Sequence, residues 1–425
     1  MELRGRHTLA RAAGCPDWFI PAAESLAFVL RFDAAMNRAM YFMSPRRARP
    51  AGFLLPALCF RPAILGSVGR DPSSLNPSSI LKVMVRATNW VGDAVMSLPA
   101  IRAIRGVFPH AHLAVAARPW VADLYARERA IDRVIVYPAQ KGWSARREFA
   151  ARLRAERFDC AILLQNAFDA ALVSWMAGIP ERIGYNRDGR RLLLTRAIPV
   201  PEPGDIPRHE RFYYLELLRR AGMMERLPAS EEIRLDGAEE ARETGLKRLR
   251  DLGIPGPAVG ISPGAAYGNA KRWPAERFAE AAGSLGMPCL IFGSAAERAL
   301  CEEAAAALRR AGRDAWNLAG ETTLRDFIDL AAACRVFLTN DSGAMHVASA
   351  LGVPTVTIFG ATDDTTTGPT GPLARVVREH AECSPCLLRE CPIDHRCMTR
   401  VSSERVSAAA LALLEETAWI REPKS

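Results

Sequence analysis

At several places charged and hydroxyl side chains sit among small residues directly after a short apolar run, where a strand would hand over to a helix. The first is Asn89-Trp90-Val91-Gly92-Asp93. Gly92 permits a tight turn, and Asp93 opens the next helix, where spacing alone favours a first-turn acid matched to the dipole. The second is Ser262 to Pro274, a small-residue loop that contains Gly264 and ends in Lys271 and Arg272. Pliant backbone amides beside two cations suit phosphate oxygens; the plain alternative is a mobile surface loop. The third is Thr339 to His346. There Ser342, Gly343 and Ala344 offer N–H groups at a helix start, a seat for a diphosphate. Asp341 would repel phosphate and suits hydroxyls instead, or is a mere N-cap, while His346 reads equally well as a core histidine. Glu297 follows a Gly293-Ser294 turn and could take both hydroxyls of a ribose, or be an exposed first-turn acid.

Other chemistries are excluded by inspection. No two glycines are spaced i, i+2, no Gly-Lys pair occurs, and no two aspartates are spaced i, i+2. That removes the dinucleotide fingerprint, the Walker loop and the Asp-x-Asp metal–diphosphate motif. Gly260-Ile261-Ser262-Pro263-Gly264 has the spacing of a nucleophile elbow. The residue after its serine is a proline, which lacks the N–H that an oxyanion hole needs there. Cys383, Cys386, Cys391 and Cys397, with His395, give C-x2-C-x4-C-x5-C. Four soft ligands could hold structural zinc, but a second C-x2-C pair is missing. Free thiols packing a loop are the favoured expectation, and no cofactor or metal is expected.

The elements that must position these residues alternate. Expected strands at Ile80–Arg86, His112–Ala117, Val134–Tyr137 and Asp159–Gln165 are interleaved with helices at Gly92–Val107, Arg146–Arg157 and His209–Ala221. Near Gly253 the pattern restarts. Strands are expected at Ala258–Ser262, Pro288–Phe292, Arg335–Thr339 and Thr355–Phe359. Helices are expected at Pro274–Leu285, Ala295–Arg310, Leu324–Ala333 and Gly343–Leu351, with a last one from Ser402 to about Ile420. Such alternation predicts parallel sheets in two doubly wound halves. Ligands would then lie beyond the carboxyl ends of the strands, where the residues above fall.

The chain has 425 residues, 49% hydrophobic and 24% charged, which excludes wholesale disorder. No apolar run is long enough to span a membrane. Of the net charge of +9, residues 1–80 contribute +5, from ten Arg, no Lys and five acids. The mildly basic body suits an anionic substrate or membrane surface better than nucleic acid. Cys15, Cys59, Cys160, Cys289, Cys301 and Cys334 are scattered and read as buried thiols of a cytosolic protein.

Together the blocks Arg86 to Ala100, Pro263 to Pro274 and Asn340 to Gly343 resemble the ADP-heptose:lipopolysaccharide heptosyltransferases, glycosyltransferase family 9. The Cys383 to Cys397 stretch is similar to the branch that adds the second heptose. Ala266 and Tyr267 stand where the branch that adds the first heptose carries threonines, which favours the former. The resemblance runs from Ile80 to the C-terminus; residues 1–79 fall outside it and read as a dispensable extension. It implies an α/β fold of the GT-B type, two Rossmann-like domains facing a cleft. Residues 80–250 would bind the acceptor and 251–401 ADP-heptose, with 402–425 a helix packing back on the first domain. The implied reaction is inverting transfer of L-glycero-D-manno-heptose to the first heptose of the lipopolysaccharide inner core, heptosyl-Kdo2-lipid A. It would occur in the cytoplasm or at the periphery of the inner membrane. Another core acceptor, a nucleotide-sugar epimerase and a non-catalytic nucleotide-sugar binder are the alternatives.

By the same resemblance Asp93 is the catalytic base, kept ionised by its helix N-terminus. Lys271 holds the diphosphate and assists the leaving group, Glu297 holds the ribose and Asp341 the donor sugar. Gly264, Arg272, Ser342, Gly343 and His346 complete the donor site. Asn89, Trp90, Arg187, Arg190 and Arg191 would meet the anionic acceptor.

Overall fold

Short runs of valine, isoleucine, leucine and alanine, apolar on both faces, form the strands of two six-stranded sheets whose pairings are all parallel. The computed structural model of the chain describes residues 76–138, 142–228 and 232–418. The expected extension 1–79 therefore lies, apart from its last four residues, outside the described residues, as do Cys15 and Cys59.

The first sheet contains β1 (Lys82–Arg86), β2 (His112–Ala117), β3 (Arg133–Val136), β4 (Cys160–Leu163), β5 (Glu181–Tyr185) and β6 (Arg196–Ile198), in the order β3-β2-β1-β4-β5-β6. The second contains β7 (Val259–Ser262), β8 (Cys289–Ile291), β9 (Ala315–Asn317), β10 (Val336–Asn340), β11 (Thr355–Ile358) and β12 (Ala374–Val377), in the order β12-β11-β10-β7-β8-β9. The two orders are the same doubly wound pattern. The strand order reverses between β1 and β4 in one sheet and between β7 and β10 in the other, the crevices where open α/β sheets bind ligands.

Three expectations change. The single helix over Gly92–Val107 is two, Val91–Met96 and Leu98–Val107. Pro99 has no N–H to continue the ladder, so it starts a new helix, and the Ser97 hydroxyl donates to the Ala94 carbonyl at the joint, 2.8 Å away. The boundary at 250/251 moves back. The helix Ala238–Asp251 lies on the helix Leu324–Ala333 of the second half, so tightly that a Cβ on Gly245 would sit 1.9 Å from the Asp329 carbonyl oxygen. Even before that helix, the Ile233 amide donates to the Thr370 hydroxyl and the Leu235 amide to the Ala350 carbonyl. The C-terminal helix, Ser403–Glu416, does not pack on the first domain. Its stripe Val406, Ala410 and Leu413 is buried in the second core with Phe278 and Val356, and the Ser403 hydroxyl donates to Glu280 at 2.8 Å. Alanines on the helix Ala275–Gly283 leave room for that stripe.

Shorter elements without a counterpart in the sequence reading include the helices Pro119–Tyr125 and Phe168–Met176 and the strands β5, β6, β9 and β12.

Candidate active site

The loop after β1 is held from below. The Arg86 guanidinium donates to the Asn89 side-chain oxygen at 3.0 Å, and the Trp120 indole donates to the Asn89 carbonyl at 2.7 Å. Asn89 is thereby committed to shaping the loop, while Trp90 is 56% exposed and presents an aromatic face. Asp93 lies in the first turn of the helix Val91–Met96. Its pKa is raised from 3.8 to about 6, because burial penalises the charged form more than Lys271 favours it. Asp93 is thus still ionised at neutral pH, as expected, but desolvation makes it a stronger base than a first-turn acid in water.

The loop after β7 is pinned to the end of β10. Asn340 accepts from the Trp273 amide at 3.0 Å and donates to the Pro263 carbonyl at 2.7 Å. This clamp sets Lys271, whose ammonium donates to Asp341 at 2.5 Å and lies 4.8 Å from the Tyr267 ring centroid. Thr362, after β11, donates to the same Asp341 oxygen at 2.6 Å. Arg272 stands beside Lys271, and its buried Nε has no hydrogen-bond partner among the described residues. Ser342 caps the helix Gly343–Ala350 without a side-chain bond to its amides, which leaves that helix end to an anion. Glu297 closes a capping box with Ser294, accepting from its amide at 2.9 Å and its hydroxyl at 2.8 Å. Its carboxylate also lies over Gly264, where a Cβ would come within 2.1 Å of Oε1. A methyl at Gly264 would therefore displace the Glu297 carboxylate.

The halves meet at two glycines. A Cβ on Gly92 would stand 2.9 Å from His346 Cδ2, and one on Gly343 would stand 2.9 Å from the Val91 Cβ. His346 is buried at this crossing, and burial pushes its pKa down to about 4. The ring is neutral and packs the junction, so it offers the donor no charge. Glu210, just before the helix Arg211–Arg220, joins the same place. Its amide donates to the Thr366 carbonyl of the other half at 2.9 Å. Burial first, then the charge of Asp93, raises its pKa to about 7, with Arg187 opposing. Asp93, Glu210, Lys271 and Arg187 thus share one electrostatic neighbourhood between the halves.

A sequence profile of glycosyltransferase family 9 (heptosyltransferase) matches residues 146–396. The lipopolysaccharide heptosyltransferase 2 of Escherichia coli (strain K12) is 35% identical over 309 residues, 70% of this chain and 88% of that protein. The chain belongs to glycosyltransferase family 9. The lipooligosaccharide heptosyltransferase 2 of Haemophilus ducreyi is 30% identical over 334 residues, again 70% of this chain and 88% of that protein. Among solved structures, ADP-heptose lps heptosyltransferase II of E. coli superposes with a TM-score of 0.68 at 31% identity, covering 80% of this chain and all of that one. The two facing doubly wound domains are the GT-B architecture of this family.

Within this glycosyltransferase the arginines expected to meet the acceptor separate. Arg190 is fully buried. It donates to the Tyr185 carbonyl at 2.8 Å, the Gln165 carbonyl at 2.6 Å and the Asn166 side chain at 2.8 Å. It holds the ends of β4 and β5 together, with all three of its nitrogens engaged within the fold rather than free for an acceptor. Arg191 is exposed in a 3-10 turn. Only Arg187 reaches the junction, through its charge on Glu210 and Tyr213. Glu210, Thr362 and Tyr267 were missed as site residues. Thr362 had a usable signal, since it follows a strand of the second half, whereas Glu210 is one acid among many in a charged connection.

Proposed function

We propose that this family 9 glycosyltransferase moves L-glycero-D-manno-heptose from ADP-heptose to the first heptose of the lipopolysaccharide inner core, with inversion. The observation that carries the reading is the electrostatic coupling of Asp93, from the first domain, to Lys271, from the second. It puts a carboxylate of raised pKa opposite a cation and a free helix N-terminus. The names of the relatives supply the sugar and the acceptor.

In this mechanism the diphosphate displaces Asp341 from Lys271. Arg272 and the amides of Ser342, Gly343 and Ala344 take the remaining oxygens. Glu297 turns from Ser294 to the ribose over Gly264, and Asp341, still held by Thr362, accepts from hydroxyls of the donor sugar. Asp93 removes the acceptor hydroxyl proton as that oxygen attacks the anomeric carbon and the bond to ADP breaks. With a pKa of about 6 it is ionised at neutral pH yet a better base than an ordinary carboxylate. The charge growing on ADP meets Lys271 and the helix end. Trp90 and Arg187 face the acceptor sugar and its anionic groups. Among the described residues no helix is long and apolar enough to cross a membrane, and a glycolipid acceptor would bring the enzyme to the inner-membrane surface as a peripheral protein.

The test is ADP release from ADP-heptose, with and without heptosyl-Kdo2-lipid A. Release that requires this acceptor, and inverts the anomeric centre, supports the assignment. Donor conversion without acceptor would indicate an epimerase, and preference for an acceptor lacking the first heptose would move the enzyme one step earlier in the core.

A further inference from the structure

The loop between β12 and the last helix carries four cysteines that the transfer reaction does not use. Cys383, Cys386, Cys391 and Cys397 all line one small, mainly apolar cavity of about 60 Å³. All four are free thiols, and Cys397 is buried. The chain folds around them in a way suited to ligated sulfur. Leu387, just after Cys386, and His395, after Cys391, adopt left-handed backbone with φ of 59° and 56°. The latter turn aims the His395 amide at Cys391 Sγ, 3.3 Å away. An amide so placed can donate equally to a metal-bound sulfur.

The same loop is the rear wall of the phosphate-facing loop. The Ala270 amide donates to the Arg389 carbonyl at 3.1 Å, and the Tyr267 hydroxyl donates to the Leu387 carbonyl at 3.0 Å. Gly268 is forced by this contact, since a Cβ there would lie 2.1 Å from the Arg389 carbonyl oxygen. Tyr267 has the Arg389 guanidinium 5.1 Å and the Lys271 ammonium 4.8 Å from its ring centroid.

We propose that Cys383, Cys386, Cys391 and Cys397 bind one thiophilic divalent ion of the zinc class, and that the ion fixes the backing of the loop that carries Lys271. Four thiolates in C-x2-C-x4-C-x5-C form a closed tetrahedral set with no open position, so the ion is structural and takes no part in the transfer. Each ligating thiol gives its proton to water as its metal–sulfur bond forms, and no oxidant is involved. Among the described residues no three of these donors already stand in a coordinating arrangement, so uptake draws the loop inward around the ion. This site is independent of the proposed acceptor and donor, because metal content is read without turnover.

The full chain, purified without chelator from zinc-replete medium, is analysed for metal and for reactive thiols. The expected result is one equivalent of zinc, lost in Cys386→Ser and in Cys391→Ser. After stripping with a mercurial reagent and reduction, wild type given Co2+ as a probe should develop the intense visible bands of tetrahedral thiolate-bound cobalt. Zn2+ should then displace the cobalt. Should a cysteine variant fail to fold, the cobalt spectrum of wild type decides alone. Stripping should also speed proteolytic cleavage within residues 383–397 and weaken ADP binding several-fold, both reversed by Zn2+. Wild type that is metal-free, shows no cobalt bands, and has four cluster thiols reacting with Ellman's reagent equally with and without Zn2+ overturns the proposal.

Discussion

Replacing Asp93 by asparagine separates chemistry from folding. In wild type, burial raises the Asp93 pKa from 3.8 to about 6. A carboxyl whose folded pKa lies above its unfolded value binds its proton more tightly in the native state. The native state is therefore destabilised as pH rises from about 4 through about 6, and above that window the whole cost is present. A shift of that size corresponds to about 3 kcal/mol at neutral pH, and partial exposure of the side chain brings the expectation to about 1–3 kcal/mol. Asparagine carries no charge to desolvate and can occupy the same helix turn. Asp93→Asn should therefore melt a few degrees above wild type at pH 7 and level with it near pH 4. It should bind ADP-heptose normally and turn over about 10²–10⁴-fold more slowly. In wild type, kcat/KM should fall on the acid side of about pH 6, to roughly one tenth by pH 5. Calorimetry, donor titration and ADP release on one preparation test all of these together. Near-normal turnover in the variant removes Asp93 from the reaction, and equal melting at pH 7 would show that the carboxylate is not desolvated as argued.

Lys271→Ala should weaken donor binding and lower turnover further still, since the leaving diphosphate gains charge in the transition state. The same change should move the acid limb of the rate profile to higher pH, because Lys271 lowers the Asp93 pKa; an unmoved limb would break the link between the two. Arg190→Ala leaves the Gln165 and Tyr185 carbonyls and the Asn166 side chain without their donor and should cost about 3–5 kcal/mol in denaturant unfolding. Arg187→Ala should fold like wild type and raise KM for the glycolipid, not for ADP-heptose. Gly92→Ala places a methyl 2.9 Å from the buried His346 ring; a loss of about 1–3 kcal/mol together with a lower kcat would tie domain contact to turnover. With Lys271, Arg272 and the helix amides at the diphosphate, added magnesium should leave the rate unchanged.

The sheets could be read from the sequence because their strands are apolar on both faces and sit between helices of clear period. His112–Ala117 and Leu324–Ala333 were read with the same ends that the structure gives them. Of the four edge strands only β3 was legible. β6 and β9 span three residues each, too short for any alternation to register, and β12 is half exposed on its outer edge. The C-terminal helix had a visible apolar stripe, but a stripe names no partner. That the stripe meets the helix Ala275–Gly283 depends on the small side chains of both, which only packing reveals.

The second domain's site was legible for the same reason that its chemistry is local. Asp341 and Ser342 directly follow β10, and Lys271 and Glu297 lie in the segments that leave β7 and β8; parallel sheets bring those strand ends together. What the sequence could not show is anything set between the domains. Arg190 and Arg187 are three positions apart with the same charge; one turns inward to three oxygen acceptors and the other reaches the junction. Glu210 reaches the candidate site through its amide bond to Thr366 of the other half and its coupling to Asp93 and Arg187. Asp93 stands in the first turn of its helix and is ionised at neutral pH, both as expected, but burial raises its pKa to about 6. The dipole of a short helix is a near effect that water can match, whereas burial penalises the charged form directly. Desolvation turns an ordinary first-turn acid into a carboxylate of raised basicity, on a helix that packs against the helix Gly343–Ala350 of the second domain.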